Sequence, residues 1–253
     1  MKQWIRRVVR AAGYDIVRYS PSVGGALGQS GITAADRSIL HKIRPFTMTT
    51  LARQMALLDA TRYIARRNIP GCFVECGVWR GGSSMAAALA LLDAGERSRT
   101  LHLFDTFDGM TAPRDEDKTL DGVSARTYLD EDRSRAGSVW AVAGYEEVLR
   151  NMASTGYPVE QIRLVKGPVE QTVPAECPVE PIALLRLDTD WYESTKHELT
   201  YLFPQVSVGG VVIIDDYGHW DGARKAVDEY FAETGLIYLM HRIDYTGRLL
   251  IKD

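Results

Sequence analysis

Three cysteines in 253 residues, Cys72, Cys76 and Cys177, are too few and too irregularly spaced for a disulfide framework. No histidine cluster stands beside them, so they do not read as a zinc site. Cys72 and Cys76 fall in one apolar run and read as packing residues. An excess of positive charge is also missing: the formal net charge is -3, which gives no global basic field and argues against nucleic acid as the main partner. A small-molecule or sugar-bearing substrate fits better. No apolar run is long enough to span a bilayer. The first residues lack an uninterrupted apolar core of signal-peptide length, because Arg6, Arg7 and Arg10 interleave with Trp4, Ile5, Val8 and Val9 at helical spacing. A soluble, cytoplasmic protein is expected. That basic amphipathic segment, residues 1–12, suits docking on its own body or on a sister subunit, with weak contact to an acidic membrane surface or a partner as the alternative. Internal repeats and low-complexity tracts are absent.

What is present is an alternation of short apolar runs and helical stretches. Residues 1–46 read as an N-terminal helix and a loop-rich extension, with Pro21, Gly24, Gly25, Gly28 and Pro45 and one short helix near 34–43. A helix follows, with Thr49 and Thr50 where an N-cap belongs and Pro70-Gly71 at its end. Strands are expected at 72–77, 100–105, 162–166, 182–188 and 210–215, and helices at 83–92, 144–154, 193–203 and 221–233. Residues 236–243 and 249–251 read as a final hairpin turning at Tyr245-Thr246-Gly247. This is the pattern of an α/β, doubly wound, Rossmann-like sheet of seven strands with one antiparallel edge strand. The catalytic domain is expected over 47–253. Residues 107–137 interrupt it with Asp115-Glu116-Asp117 and Asp130-Glu131-Asp132 and no apolar period, the mark of a lid or binding loop.

After the first strand comes Val74-Glu75-Cys76-Gly77-Val78-Trp79-Arg80-Gly81-Gly82-Ser83-Ser84, running directly into a helix. Ligands of open α/β sheets bind at the carboxyl ends of the strands, beside such glycine turns. The spacing matches neither the dinucleotide G-x-G-x-x-G nor the phosphate-binding G-x-x-x-x-G-K-[ST]. Glu75 would repel a pyrophosphate but suits the ammonium group of S-adenosylmethionine (SAM); the competing reading of Glu75 is a helix cap. The next strand ends in Phe104-Asp105-Thr106, where a carboxylate can accept both ribose hydroxyls.

Two further strand ends carry Leu187-Asp188-Thr189-Asp190 and Ile214-Asp215-Asp216-Tyr217. Adjacent parallel strands bring these acids side by side, and carboxylates at close quarters repel unless a positive charge sits among them. Oxygen-only ligands favour Mg2+, with Mn2+ or Ca2+ as alternatives, over zinc. A metal that coordinates an alcohol lowers its pKa, and Asp190 is then placed to take the proton. The competing reading of Asp215-Asp216 is a helix cap or turn acid, and that of His219 an incidental turn residue.

Together these segments resemble the macrocin and mycinamicin (TylF/MycF-type) O-methyltransferase family, which methylates sugar hydroxyls of natural products. The resemblance covers roughly residues 45–235. It rests on Pro45-Phe46-Thr47-Met48-Thr49, on Val74 to Gly82, on Leu185-Arg186-Leu187-Asp188-Thr189-Asp190 with Tyr192, Ser194 and Thr195, and on Gly209-Gly210 to Asp215-Asp216-Tyr217. It implies a class I SAM-dependent methyltransferase that needs Mg2+, with Asp188, Asp215 and Asp216 as metal ligands and Asp190 as base. It also implies a lid and a homodimer or larger assembly, and puts Met48 and Thr49 among the SAM contacts. The more distant catechol O-methyltransferases are similar at Glu75, Gly77, Gly81 and Ser83, with an aromatic at Trp79. By that similarity these residues touch SAM, and Gly167 and Val169 lie near the adenine. Their catalytic lysine is Trp191 here, which makes a catechol a poorer acceptor than a sugar. The long charged lid, Trp4 to Arg10 and Gly13-Tyr14-Asp15 are reminiscent of polysaccharide-cluster enzymes, so a glycan or nucleotide-linked sugar competes with a macrolide. Two other readings keep the fold: an NAD-dependent sugar oxidoreductase, disfavoured by the glycine spacing, and a SAM-binding accessory protein, disfavoured by the unbroken carboxylates.

Overall fold

The computed structural model describes residues 31–132 and 140–253. The expectations for residues 1–12, for Gly13-Tyr14-Asp15, for the loop up to residue 30 and for the last part of the lid fall outside the described residues. The sheet lies within the unit formed by residues 38–253. Among the described residues no helix is long and apolar enough to cross a membrane.

Helix α1 (Ala34–Ile43) opens on a reciprocal cap, in which Asp36 accepts from the Thr33 amide and hydroxyl while Thr33 Oγ1 accepts from the Asp36 amide. Helix α2 (Leu51–Arg67) starts at Thr50, whose hydroxyl oxygen accepts from the Arg53 amide, and stops at Asn68 in the left-handed region. Then follow β1 (Cys72–Cys76), α3 (Gly82–Asp93), β2 (Leu101–Asp105), α4 (Ala125–Glu131), α5 (Tyr145–Ala153), β3 (Ile162–Lys166), α6 (Val169–Thr172) and β4 (Ile182–Leu187). The chain closes with α7 (Tyr192–Tyr201), β5 (Val206–Ile214), α8 (Asp221–Thr234), β6 (His241–Arg242) and β7 (Arg248–Ile251). The seven strands form one sheet in the order β3-β2-β1-β4-β5-β7-β6. Strands β1 to β5 are parallel, and β7 runs against both β5 and β6 at the edge. β1 and β4 are buried along their whole length, as strands covered on both faces must be. Cys72 and Cys76 are packing residues, as expected.

Strand order reverses between β1 and β4, since the chain leaves β1 toward β2 and β3 and returns to build β4 and β5 on the other side. That crevice is where ligands of such sheets bind. The backbones meet closely there: the Gly77 amide donates to the Phe104 carbonyl and the Asp188 amide to the Cys76 carbonyl.

Three segments differ from the sequence reading. β5 begins at Val206 rather than Gly210, because Gly209 (φ 80°) sits at an irregularity inside the strand instead of ending it. The penultimate strand keeps only His241 and Arg242. Tyr238 and Met240 still pack on the core, while Ile237 and Leu239 are exposed beyond the ladder formed with the short β7. The described part of the lid segment, residues 107–132, has structure of its own. α4 sits in it, Lys118 bridges Ser124, and Thr119 bridges Trp220. Leu129 and Ala125 are buried against Trp191, Trp220 and Ala223, contacts that a search for local periodicity does not see.

Gly77 (φ 81°) has no room for a side chain: a Cβ there would lie 1.9 Å from the Asp188 carbonyl oxygen. Gly77→Ala is therefore expected to cost more than about 3 kcal/mol of folding stability, from strain and the forced parting of β1 and β4. Urea unfolding measures it, and a midpoint equal to that of the unsubstituted protein would contradict this placement.

Candidate active site

Leu187 and Ile214 are paired in register at the ends of β4 and β5, so the residues that follow them emerge side by side. Asp188, Asp215 and Asp216 each offer an oxygen within 4.8 Å of the others. Arg186 lies two residues before Asp188 and is 4% exposed. Its Nη1 donates to Glu75 Oε1 at 2.5 Å and meets Asp188 Oδ2 at 2.7 Å, and its Nη2 donates to Asp215 Oδ1 at 2.8 Å. From α2, Arg53 pairs with the same Asp215 through Nη1 and with Asp244 through Nε at 3.1 Å. Even so, burial pushes the Asp188 carboxyl well above the usual range, against the pull of Arg186 and helped by Asp215 and Asp216. Asp216 is pushed well up too, by burial and then by Asp190 and Asp215. Two guanidinium groups do not satisfy this many acids.

Asp190 stands in the left-handed region at φ 67°, which turns its side chain back over the cluster. Trp220 Nε1 donates to Asp190 Oδ1 at 3.0 Å, and the Asp190 carboxyl neighbours that of Asp216. Burial, then the neighbouring Asp188 charge, push Asp190 up to about 7.

These acids face a cavity of about 340 Å3. Met48, Thr49, Gly77, Trp79, Ser83, Asp105, Thr106, Gly167 and Val169, all expected at the cofactor, line it together with Asp188, Asp190, Asp215 and Asp216. Trp79, like Asp190, is a non-glycine residue with positive φ in a turn at a strand's carboxyl end. Asp105 Oδ2 accepts from the Val78 and Trp79 amides at 2.7 and 3.1 Å, and Oδ1 from the Phe107 amide at 2.7 Å. One carboxylate thus ties the β1 and β2 turns together; the Thr106 hydroxyl stands 3.4 Å from Oδ1 but donates to the Gly109 carbonyl at 2.6 Å.

Glu75 is the exception. It is 5% exposed, does not line the cavity, and is consumed by Arg186 and by the Ser84 hydroxyl, which donates to it. Of the residues expected at the cofactor it is the one set behind the cavity wall, bordering the site through Arg186. The helix-cap alternative does not describe it, since α3 has no side-chain cap at its start.

Other residues that shape the site carry no local signal in the sequence. The Thr246 hydroxyl donates to the Asp215 carbonyl, and Asp244 accepts from the Thr50 hydroxyl at 2.6 Å and from the Thr246 and Gly247 amides, so the hairpin tip braces the β5 turn and α2. Thr189, between the two aspartates, donates to the fully buried Glu198 at 3.0 Å. Asp117, which reads as one of a run of solvated acids, is 1% exposed and accepts from the Tyr192 amide at the start of α7. Trp191, where the catechol enzymes have lysine, is buried; its ring meets Trp220 edge-on and its Nε1 donates to the Thr111 carbonyl. His219 lines the cavity, with its pKa lowered by burial and then by Arg53.

Removing Arg186 would leave Glu75, Asp188 and Asp215 facing one another without their shared cation. Arg186→Met is expected to destabilise the fold by about 3–5 kcal/mol, the usual cost of stranding buried charge. Chemical denaturation checks this, and a loss below about 1 kcal/mol would mean that the acids do not depend on Arg186.

Comparison with known proteins gives four findings. The family model for macrocin O-methyltransferase (TylF) matches residues 33–252. The chain is 36% identical over 201 residues to demethyldecarbamoylnovobiocin O-methyltransferase of Streptomyces niveus, covering 79% of this chain and 73% of that one. It is 34% identical over 216 residues to 8-demethyl-8-(2,3-dimethoxy-alpha-L-rhamnosyl)-tetracenomycin-C 4'-O-methyltransferase of Streptomyces olivaceus, covering 84% and 79%. Among solved structures it is similar to the O-methyltransferase NovP, with TM-score 0.71, 34% identity and 82% of each chain covered.

Proposed function

The chain belongs to the macrocin O-methyltransferase (TylF) family and is a SAM-dependent O-methyltransferase, and from that premise we propose that it methylates a sugar hydroxyl of a natural product or glycan precursor with a divalent ion, Mg2+, held by Asp188, Asp215 and Asp216. The observation that carries the proposal is the crowding of three carboxylates at one end of the cavity, against two arginines. Their donors are all oxygen, which fits a hard cation: Mg2+ first, with Mn2+ or Ca2+ able to use the same set. The rhamnosyl group in the name of the S. olivaceus relative supports a sugar as acceptor.

When bound, SAM supplies an electrophilic methyl on a positively charged sulfur, and the ion supplies Lewis acidity that makes an acceptor hydroxyl easier to deprotonate. The chain's own residues do the rest. Asp105, Gly167 and Val169 form the wall for the nucleoside end of the cofactor, and Met48, Thr49, Gly77 and Ser83 the wall for its methionyl end. Asp190 receives the acceptor's proton on its carboxylate: held up to about 7, it can gain and lose a proton near neutrality, and Trp220 fixes its direction. Trp191 and Trp220, backed by Ala125 and Leu129 of α4, make an apolar wall that limits water beside the reacting oxygen. Residues 107–137, which include α4, serve as the lid. Catalysis rests mainly on positioning two substrates and on stabilising negative charge on the acceptor oxygen.

Asp188→Asn is expected to lower methyl transfer at least about 100-fold while SAM affinity stays within about threefold of the unsubstituted protein. Product formation with a panel of sugar acceptors and calorimetric titration of SAM measure the two effects on the same sample. Unchanged turnover would remove Asp188 from the mechanism, and loss of SAM binding alone would make it a cofactor residue.

A further inference from the structure

Asp215 is 2% exposed, and each of its oxygens already faces a cation. Oδ1 accepts from Arg186 Nη2 at 2.8 Å and Oδ2 from Arg53 Nη1. A divalent ion on the same carboxylate would lie within a few ångström of both guanidinium groups, where like charges in a poorly solvated pocket oppose each other strongly. One arginine has to yield, and the two are not held alike. Arg186 is 4% exposed, sits inside β4, and is gripped by Glu75, Asp188 and Asp215 together. Arg53 lies in the first turn of α2, is 14% exposed, and lines the cavity. Its guanidinium is also divided between two acids, with Nε on Asp244 at 3.1 Å and Nη1 on Asp215. Asp244 is itself fixed by the Thr50 hydroxyl and two backbone amides, so the Nε end has an anchor that does not depend on Asp215.

We propose that Arg53 is a built-in competitor of the divalent ion: Arg53 Nη1 and the ion exclude each other from Asp215 Oδ2, and Asp244 retains the arginine when it is displaced. The inference rests on the metal assignment made above. Arg53 thereby lowers the affinity of the acid cluster for free metal while keeping Asp215 oriented. It is a positioning residue, and its effect is read in metal binding rather than in turnover alone.

The test is titration of the full chain with Mn2+, followed by the paramagnetic resonance signal of the free ion. The unsubstituted protein is expected to take up one ion, and Arg53→Gln to bind it about tenfold more tightly because a competing cation has gone. Equal or weaker binding by Arg53→Gln, with clear uptake by the unsubstituted protein, overturns the competition and leaves the metal assignment standing. No uptake by the unsubstituted protein removes the metal assignment and this inference with it. If Arg53→Gln does not fold, a crystal structure of the unsubstituted protein grown with Mn2+ decides. Arg53 Nη1 off Asp215 with Nε still on Asp244 supports the proposal, and Nη1 remaining on Asp215 beside the ion overturns it.

Discussion

Mutual repulsion among the carboxylates at the ends of β4 and β5 is the constraint around which the rest of the site is arranged. Asp188, Asp190, Asp215 and Asp216 occupy one end of a single cavity, largely removed from water. Acids that close together hold their protons more tightly, as Asp188, Asp190 and Asp216 all do. The structure meets part of the deficit with Arg186 and Arg53. Arg186 needs a third acid, Glu75, on its far side, which in turn takes the Ser84 hydroxyl. The network thus runs from the helix after the glycine turn, through β1, to the ends of β4 and β5. A buried arginine of this kind is weak evidence for stability but good evidence that the surrounding charges are wanted where they are.

The sheet order brings the two halves of the chemistry together. The turn after β1 and the turn after β4 abut at the point where strand order reverses, and Gly77 lets the Asp188 backbone pass within the space of a missing side chain. The cofactor wall and the acid cluster are therefore neighbours by topology. The hairpin tip and α4 then close the remaining sides. One braces Asp215 through Thr246, and the other packs behind Trp191 and Trp220.

How much of this could be read from the sequence depends on the range of the interaction. The strands and helices of the core were legible because burial on both faces writes long apolar runs, and β3 lies at residues 162–166 as expected. That Asp188, Asp215 and Asp216 come together, and that Gly77, Asp105 and Gly167 face the same cavity, was legible because residues at strand ends follow directly from those runs. The pairing of Glu75 with Arg186 was not legible, because the partner lies 111 residues away. Asp117, Asp244 and Thr246 were missed because each acts across a long stretch of chain, with nothing in its local surroundings to separate it from a solvated acid or a turn residue. The lid was read as unstructured because α4 is short and draws its apolar partners from α8 and from the residues that precede α7 and α8.

The central claim is that the acid cluster works on an acceptor hydroxyl through a divalent ion. Methyl transfer from labelled SAM to a sugar acceptor, compared before and after stripping the protein with EDTA and again after adding Mg2+, tests it most directly. The account predicts transfer that falls to background on stripping and returns with Mg2+. Full activity in the stripped protein would contradict it and would leave Asp190 and the two arginines to account for catalysis alone.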